Sequence, residues 1–131
     1  MTLNKVKLEA LLNAIGRYYG AFDDPDQPAY KLRNPLLIRS FSVPGRHDVD
    51  KEGRRIFKSF LAGYRACLYD LEIKLSGHSR AKIRNTDAIE NLLRVYGITE
   101  PASQEVVVKF LRRALNDTEI KRTTSLSYFS E

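Results

Sequence analysis

Apolar residues recur at helical spacing in four stretches of the chain. The first stretch covers residues 3–19, where apolar side chains follow one another every three or four positions. Gly20 suits the position after a helix end, and the prolines within residues 23–28 prevent the helix from continuing. The pattern therefore predicts an amphipathic first helix over residues 3–19, followed by an irregular segment over residues 29–44.

Residues 59–75 carry the strongest helical pattern. Its apolar stripe consists of Phe60, Tyr64, Cys67, Leu68, Leu71 and Leu75. Ser59 is expected to cap the helix at its start, and Gly63 permits the close approach of a neighbouring segment. We expect this segment to be the central buried helix.

A third helix is predicted over residues 87–96. Asp87 and Glu90 stand at the spacing of a capping box, and Gly97 suits the helix end. Its apolar face would contain Ile89, Leu92, Leu93 and Tyr96.

A fourth helix is expected to follow Pro101, with Ser103 as its cap, and to extend to about residue 115. Its predicted packing face contains Val106, Val107, Phe110, Leu111 and Ala114.

The stretch GRHDVDKEGRRIF, residues 45–57, predicts a small β-hairpin. Val49 and Ile56 flank a turn in which Gly53 can supply a positive φ angle. The polar residues 116–131 are expected to form a flexible tail, in which Tyr128 and Phe129 are available for docking. The predicted fold class is therefore α+β, mostly α, with one domain over residues 1–115.

Composition is that of a water-soluble globular domain. The chain has 131 residues, of which 43% are hydrophobic and 29% are charged, and its formal net charge is +6. No apolar run approaches the ~20 residues that a membrane span needs, and charges interrupt the N-terminal apolar residues, so no signal peptide is expected. The basic balance, with a pI near 9.5, favours anionic partners such as nucleic acid, anionic lipid or cell-wall glycan.

Metal and disulfide chemistry are not expected. Cys67 is the single cysteine, which excludes an internal disulfide, and its place in an apolar stripe predicts a buried thiol. His47 and His78 fall in separate loop-like segments without metal-ligand spacing. We therefore expect neither a metal nor another cofactor.

Four motifs occur in order along the chain. They are AIGRYYG at 14–20, NPLLIR at 34–39, FKSFLAGYRACL at 57–68 and VYGITEPASQEVVVKFLRRAL at 95–115. Together they resemble the lysozyme-like, lytic-transglycosylase-related domain of phage virion proteins and phage-derived bacterial proteins. That resemblance implies a helical lysozyme-like fold, peptidoglycan or virion assembly proteins as partners, and a location in the virion, or in the cytoplasm before assembly.

The resemblance also implies where the chemistry of the family would lie. A glutamate at the end of the first helix protonates the glycosidic oxygen there, which requires a carboxyl with a raised pKa. The matching residue here is Tyr19, whose phenol, with an ordinary pKa of about 10, is a much poorer acid. Leu36 and Leu37 replace a Gly and an Asn of the loop motif. The resemblance thus predicts a former active site.

Other side chains are candidates for the two tasks of such a site, which are to supply an acid and to bind glycan. Three carboxylates are candidates for a displaced acid, although solvated turns are the simpler interpretation: Asp23, Asp24 and Glu52. The candidate glycan-binding residues of the cleft are Tyr18, Tyr19, Tyr30, Arg33, Asn34 and Arg39.

The predicted function is a catalytically impaired lysozyme-like domain with a structural, virion-associated or peptidoglycan-contacting role. Two alternatives stay open. One is an active muramidase or lytic transglycosylase with a displaced acid. The other is a basic adaptor that binds nucleic acid or a partner protein through its positive charge, although no nucleic-acid motif accompanies that charge.

Overall fold

The structure is a computed structural model that describes residues 2–39, 48–77 and 83–131. Within these ranges it contains five α-helices and one two-stranded antiparallel sheet, which confirms the mostly helical α+β class. The elements in chain order are α1 (Lys5–Tyr18), α2 (Pro28–Lys31), β1 (Asp48–Val49), β2 (Arg55–Ile56), α3 (Phe60–Leu75), α4 (Ile89–Val95) and α5 (Pro101–Leu115).

Helix α1 packs against both α3 and α5. It begins where the Asn4 side chain accepts a hydrogen bond from the Lys7 backbone N–H at 3.1 Å. It ends before Gly20, whose φ angle of +72° is the left-handed conformation that commonly terminates helices. Its apolar stripe is buried, as the sequence predicts, at Leu8, Leu11, Leu12 and Ile15, whereas Val6 in the first turn is 71% exposed.

Helix α3 begins at the predicted cap, where the Ser59 hydroxyl accepts a hydrogen bond from the Ala62 N–H at 3.1 Å. The predicted stripe is fully buried only in the second half of the helix, at Cys67, Leu71 and Leu75. In the first turn of α3, Phe60 and Leu61 are 44% and 54% exposed.

Helix α4 buries the predicted apolar face, but its predicted capping box is wrong. The Asn91 side chain accepts a hydrogen bond from the Ala88 N–H at 2.9 Å. Asp87 instead accepts from the Arg84 N–H at 2.8 Å, one turn earlier in the chain. The helix therefore begins at Ile89, two residues later than predicted.

Helix α5 buries only part of the predicted face: Val107 and Leu111 are buried, and Phe110 is half-buried against the core. Pro101 occupies its first turn, so Ser103 lies inside the helix and does not cap it. The buried residues are Gln104, Val107, Val108 and Leu111, whereas Val106 and Ala114 are exposed. Three consecutive valines at 106–108 make the apolar pattern compatible with more than one helix face, which explains the error.

Strands β1 and β2 form the predicted hairpin, with Asp48 opposite Ile56 and Val49 opposite Arg55. Gly53 in the turn has a φ angle of +81°. Residues 45–47 of the predicted hairpin lie outside the described residues.

The C-terminal segment is part of the core, so the prediction of a flexible tail over residues 116–131 is wrong. Ile120, Leu126 and Phe129 are buried, and the last two belong to a 3₁₀ turn at Leu126–Phe129. The Asn4 N–H donates a hydrogen bond to the Phe129 carbonyl at 2.7 Å. Buried apolar side chains and backbone hydrogen bonds together hold the segment beside the start of α1.

Across the described ranges, we find no helix with the length and apolar character that a membrane crossing requires.

Candidate functional site

An open groove of about 710 Å³ lies beside the loop that follows α1. Its walls come from this loop, from α2 and from the first turn of α3. The lining residues are Ala21, Phe22, Pro25, Tyr30, Lys31, Arg33 and Phe60. Three aromatic rings and two cations therefore face the groove, and no carboxylate is among these lining residues.

Two of the groove rings, Phe22 and Phe60, form a row with Tyr64, which lies outside the groove lining. The ring centroids of Phe22 and Phe60 are 5.6 Å apart in an edge-to-face arrangement, and those of Phe60 and Tyr64 are 5.9 Å apart. Phe22 lies directly on Gly16, where an added Cβ would come within 2.7 Å of the ring. Only glycine at position 16 leaves room for this ring position.

Gly63 sets the position of Arg33. The backbone carbonyl of Arg33 lies against α3, so that a Cβ at Gly63 would be 1.7 Å from this oxygen. This confirms the close approach that the sequence predicts at Gly63. The Arg33 guanidinium donates a hydrogen bond to the Phe57 carbonyl at 3.4 Å. Arg33 and Tyr30, both predicted to bind glycan, thus come together in the groove.

Asn34 does not face the groove, contrary to the prediction, because it is fully buried. Its side-chain amide donates to the carbonyls of Ile38 and Arg55, both at 3.0 Å. Its oxygen accepts from the Ile38 N–H at 3.0 Å. Asn34 therefore joins the loop to the hairpin and has no free polar atom for a ligand.

The two leucines of the loop motif differ in their environment. Leu36 is buried in the core. Leu37 is half-buried and has a φ angle of +54°, a left-handed conformation that costs most residues roughly 1–2 kcal/mol and that Asn tolerates better. The loop thus has a backbone conformation suited to the Asn that the resemblance would place at 37.

Tyr19 is held by a hydrogen bond outside the groove. Its hydroxyl donates to the backbone carbonyl of Tyr96, next to the end of α4. Burial and the neighbouring Tyr18 raise the pKa of Tyr19 to about 12. Tyr18, also predicted to line the cleft, is half-buried against the core with its ring edge-to-face on Tyr19. Tyr19, at the position where the resemblance expects an acid, therefore keeps its proton at neutral pH and acts as a structural donor.

The two candidate acids of the loop lie in a turn beside the groove. Asp23 is exposed to solvent. The Asp24 side chain accepts a hydrogen bond from the Asp26 N–H at 3.2 Å, as turn-forming aspartates commonly do. Neither residue lines the groove.

The hairpin candidate, Glu52, pairs with Arg54. Asp50 pairs with the same guanidinium at 2.8 Å. Desolvation opposes ionisation of Asp50, but hydrogen bonds from the backbone and side chain of Arg54 hold its pKa below the usual range. Arg39 donates to the Glu52 carbonyl. These charges stabilise the turn, and neither Glu52 nor Arg39 lines the groove.

A buried polar cluster joins α3 to α4, and sequence reasoning did not find it. The Asp70 carboxylate accepts from the Lys74 ammonium at 2.6 Å and from the Tyr96 hydroxyl at 2.7 Å. Burial and Asp70 raise the pKa of Tyr96 well above its ordinary value. The sequence signal that could have revealed this cluster is the charged pair Asp70 and Lys74, four residues apart on the helix face that carries Cys67 and Leu71.

Cys67 is a buried free thiol, as predicted, and burial raises its pKa to about 12. Its Sγ lies 3.4 Å from the Asn34 side-chain oxygen. Such a thiol is unreactive because the thiolate is its nucleophilic form. Among the described residues no group of His, Cys, Asp and Glu could hold a metal ion; His47 and His78 lie outside them.

No protein-family model, curated protein or solved structure matches the chain. The chemistry of the groove is therefore interpreted from its own residues.

Proposed function

We propose that the chain is a lysozyme-like domain that no longer cleaves glycan and instead binds peptidoglycan through the groove beside α2. One observation carries this proposal. The groove combines three aromatic rings with two cations, while the residue at the position of the family acid is engaged with the Tyr96 carbonyl. The choice of peptidoglycan as the bound polymer rests on the motifs that resemble the lysozyme-like family.

The lining suits a glycan with acidic substituents. Sugar rings have apolar C–H faces that pack well on aromatic rings, and Tyr30 and Phe60 remain 41% and 44% exposed for such contact. Lys31 and Arg33 lie on the same groove, and the structure gives neither an ion-pair partner among the described residues. Both side chains can therefore pair with the carboxylates of peptide stems.

The alternative of an active enzyme with a displaced acid finds no support in the placement of its candidate residues. Glycoside cleavage requires a proton donor within hydrogen-bond reach of the glycosidic oxygen. Asp23, Asp24 and Glu52 all lie outside the groove lining. Tyr19, with its pKa of about 12, is a poor acid at neutral pH. Association with a phage virion follows from the resemblance alone and stays part of the proposal.

Sedimentation with insoluble peptidoglycan tests the proposed binding. Phe60→Ala is expected to weaken retention about tenfold, the equivalent of 1.4 kcal/mol, because it removes the central ring of the row. Tyr69→Ala is the matched control: Tyr69 belongs to the same helix, is 45% exposed, and lies outside the groove. Equal retention of both variants and the wild type would refute binding in the groove.

Turbidity clearing of a peptidoglycan suspension tests the loss of cleavage. The wild type is expected to leave the suspension turbid. Clearing that survives in Tyr19→Phe and disappears in Asp24→Asn would establish an active enzyme with a displaced acid and overturn the proposal.

A further inference from the structure

We infer that a basic face on α1 and α5, formed by Arg17, Lys109 and Arg113, binds the phosphate backbone of double-stranded nucleic acid. Lys109 and Arg113 are exposed and lie one turn apart on α5. Arg17, from the last turn of α1, places its guanidinium carbon 4.4 Å from the ring centroid of Phe110 on α5. The contact brings the cation of one helix beside the two cations of the other.

The charge of the basic face is uncompensated within the described part of the chain. None of its three cations takes part in an ion pair there. Glu105, the carboxylate within α5, pairs with Arg112 at 2.7 Å, and Asp117, four residues after Arg113, accepts a hydrogen bond from the Tyr128 hydroxyl at 2.9 Å. The face is therefore available to an external anion, and the net charge of +6 favours the approach of one.

The arrangement fits an extended anion better than a single phosphate group. Lys109 and Arg113 lie about 6 Å apart along the axis of α5, and Arg17 adds a third cation from α1, so the charges are spread over more surface than one phosphate group covers. A duplex presents one charge per roughly 1.7 Å of its axis, and several of its phosphates can contact cations spread over two helices.

The apolar groups of this face argue against single-stranded nucleic acid and against an anionic membrane surface as its partner. The ring of Phe110 is half-buried and lies under Arg17, so it offers no open surface for the stacking of unpaired bases. On α5, the exposed large apolar side chain is Val106. One valine is a poor anchor for a membrane surface, which helices usually enter through several large apolar residues.

Fluorescence anisotropy with the full chain and two labelled duplexes of unrelated sequence tests this inference. Both duplexes are expected to bind alike. Three neutralised phosphates predict a slope of about −2.7 in log K against log salt, or a ~40-fold loss of affinity between about 50 and 200 mM salt. In Lys109→Gln/Arg113→Gln the slope is expected to become shallower, at about −0.9, because one neutralised phosphate remains.

The matched control is Lys51→Gln/Arg84→Gln, which removes the same charge from exposed residues outside α1 and α5. It is expected to keep the wild-type slope. Absence of duplex binding at the lower salt concentration would overturn the inference, as would equal losses in the two double variants. Binding to phosphatidylserine vesicles without binding to duplexes would also overturn it, in favour of a membrane surface. The inference does not depend on the groove, and retention of both variants on peptidoglycan is expected to match the wild type.

Discussion

The hydroxyl of Tyr19 donates a hydrogen bond to the backbone carbonyl of Tyr96 and so ties the end of α1 to the end of α4. Tyr96 in turn donates from its own hydroxyl to the Asp70 carboxylate at 2.7 Å, and Lys74 pairs with the same carboxylate at 2.6 Å. Tyr19, at the position where the resemblance expects an acid, is therefore the outer end of a series of hydrogen bonds that extends through Tyr96 to Asp70 in α3.

Tyr19→Phe is expected to lower the free energy of unfolding by about 1 kcal/mol, because the Tyr96 carbonyl loses its donor while the ring packing is kept. Urea denaturation measures the change. Tyr18→Phe is the control, since the Tyr18 hydroxyl has no hydrogen-bond partner among the described residues, and it should change stability by less than about 0.5 kcal/mol. Equal stability of the two variants would show that the Tyr19 hydrogen bond contributes nothing.

Stability is expected to fall as the pH rises above about 10, partly because of Tyr19. Burial and Tyr18 raise the pKa of Tyr19 from 10.0 to about 12. Between these values the unfolded chain has lost this proton and the folded chain has kept it, so a rising pH favours unfolding. Burial of Tyr96, whose pKa is also raised, acts in the same direction. Urea titrations across this range should show a shallower decline for Tyr19→Phe; a parallel decline would contradict the assignment.

Lys74→Met is expected to destabilise the protein by about 3–5 kcal/mol, because it leaves the buried Asp70 carboxylate without its cation. Asp70→Asn/Lys74→Met should recover most of this loss, since a neutral amide oxygen can still accept from Tyr96. Urea denaturation of the two single variants and the double variant gives the coupling energy. A double variant with the summed losses of the single variants would argue against a coupled pair.

Gly63→Ala is expected to cost about 3 kcal/mol or more, because the new methyl group overlaps the Arg33 carbonyl and the loop must move away from α3. Ala62→Ser adds an atom to an exposed position of the same turn and should change stability by less than about 0.5 kcal/mol. The folded fraction of Gly63→Ala should also bind peptidoglycan more weakly, since Arg33 is displaced. Wild-type stability in this variant would exclude the close packing of the loop on α3.

Local chemistry made much of the fold predictable. Ser59 caps α3 because a hydroxyl before an apolar run satisfies free N–H groups, and Gly53 permits the hairpin turn. For α5 the prediction is correct at Val107 and Leu111 and wrong at Val106 and Ala114, because the valines at 106–108 allow several faces. Gln104 completes the buried face there by donating to the carbonyl of Ile98, which precedes the helix, at 3.0 Å, and apolar periodicity cannot indicate such a polar contact.

The candidate site was less predictable because its geometry depends on tertiary packing. The loop motif indicates Tyr30 and Arg33 as cleft residues, but the apolar pattern of residues 59–75 predicts that Phe60 belongs to the core. Its exposure depends on where α3 meets the loop that carries Phe22. The motif places Asn34 in the cleft, but the residue is buried because its amide also donates to the Arg55 carbonyl of the hairpin, which the sequence cannot place beside it.

Phe129→Ala is expected to cost about 3–5 kcal/mol, because the ring is fully buried and its loss leaves a cavity beside the start of α1. The backbone hydrogen bond from Asn4 to the Phe129 carbonyl depends on the same segment, so fraying should extend to the first turn of α1. Urea denaturation measures the loss, and amide hydrogen exchange at residues 5–8 measures the fraying. Leu61→Ala removes an exposed apolar side chain and serves as the control, with an expected change of less than about 0.5 kcal/mol. If Phe129→Ala unfolds at the same urea concentration as this control, the C-terminal segment does not belong to the core.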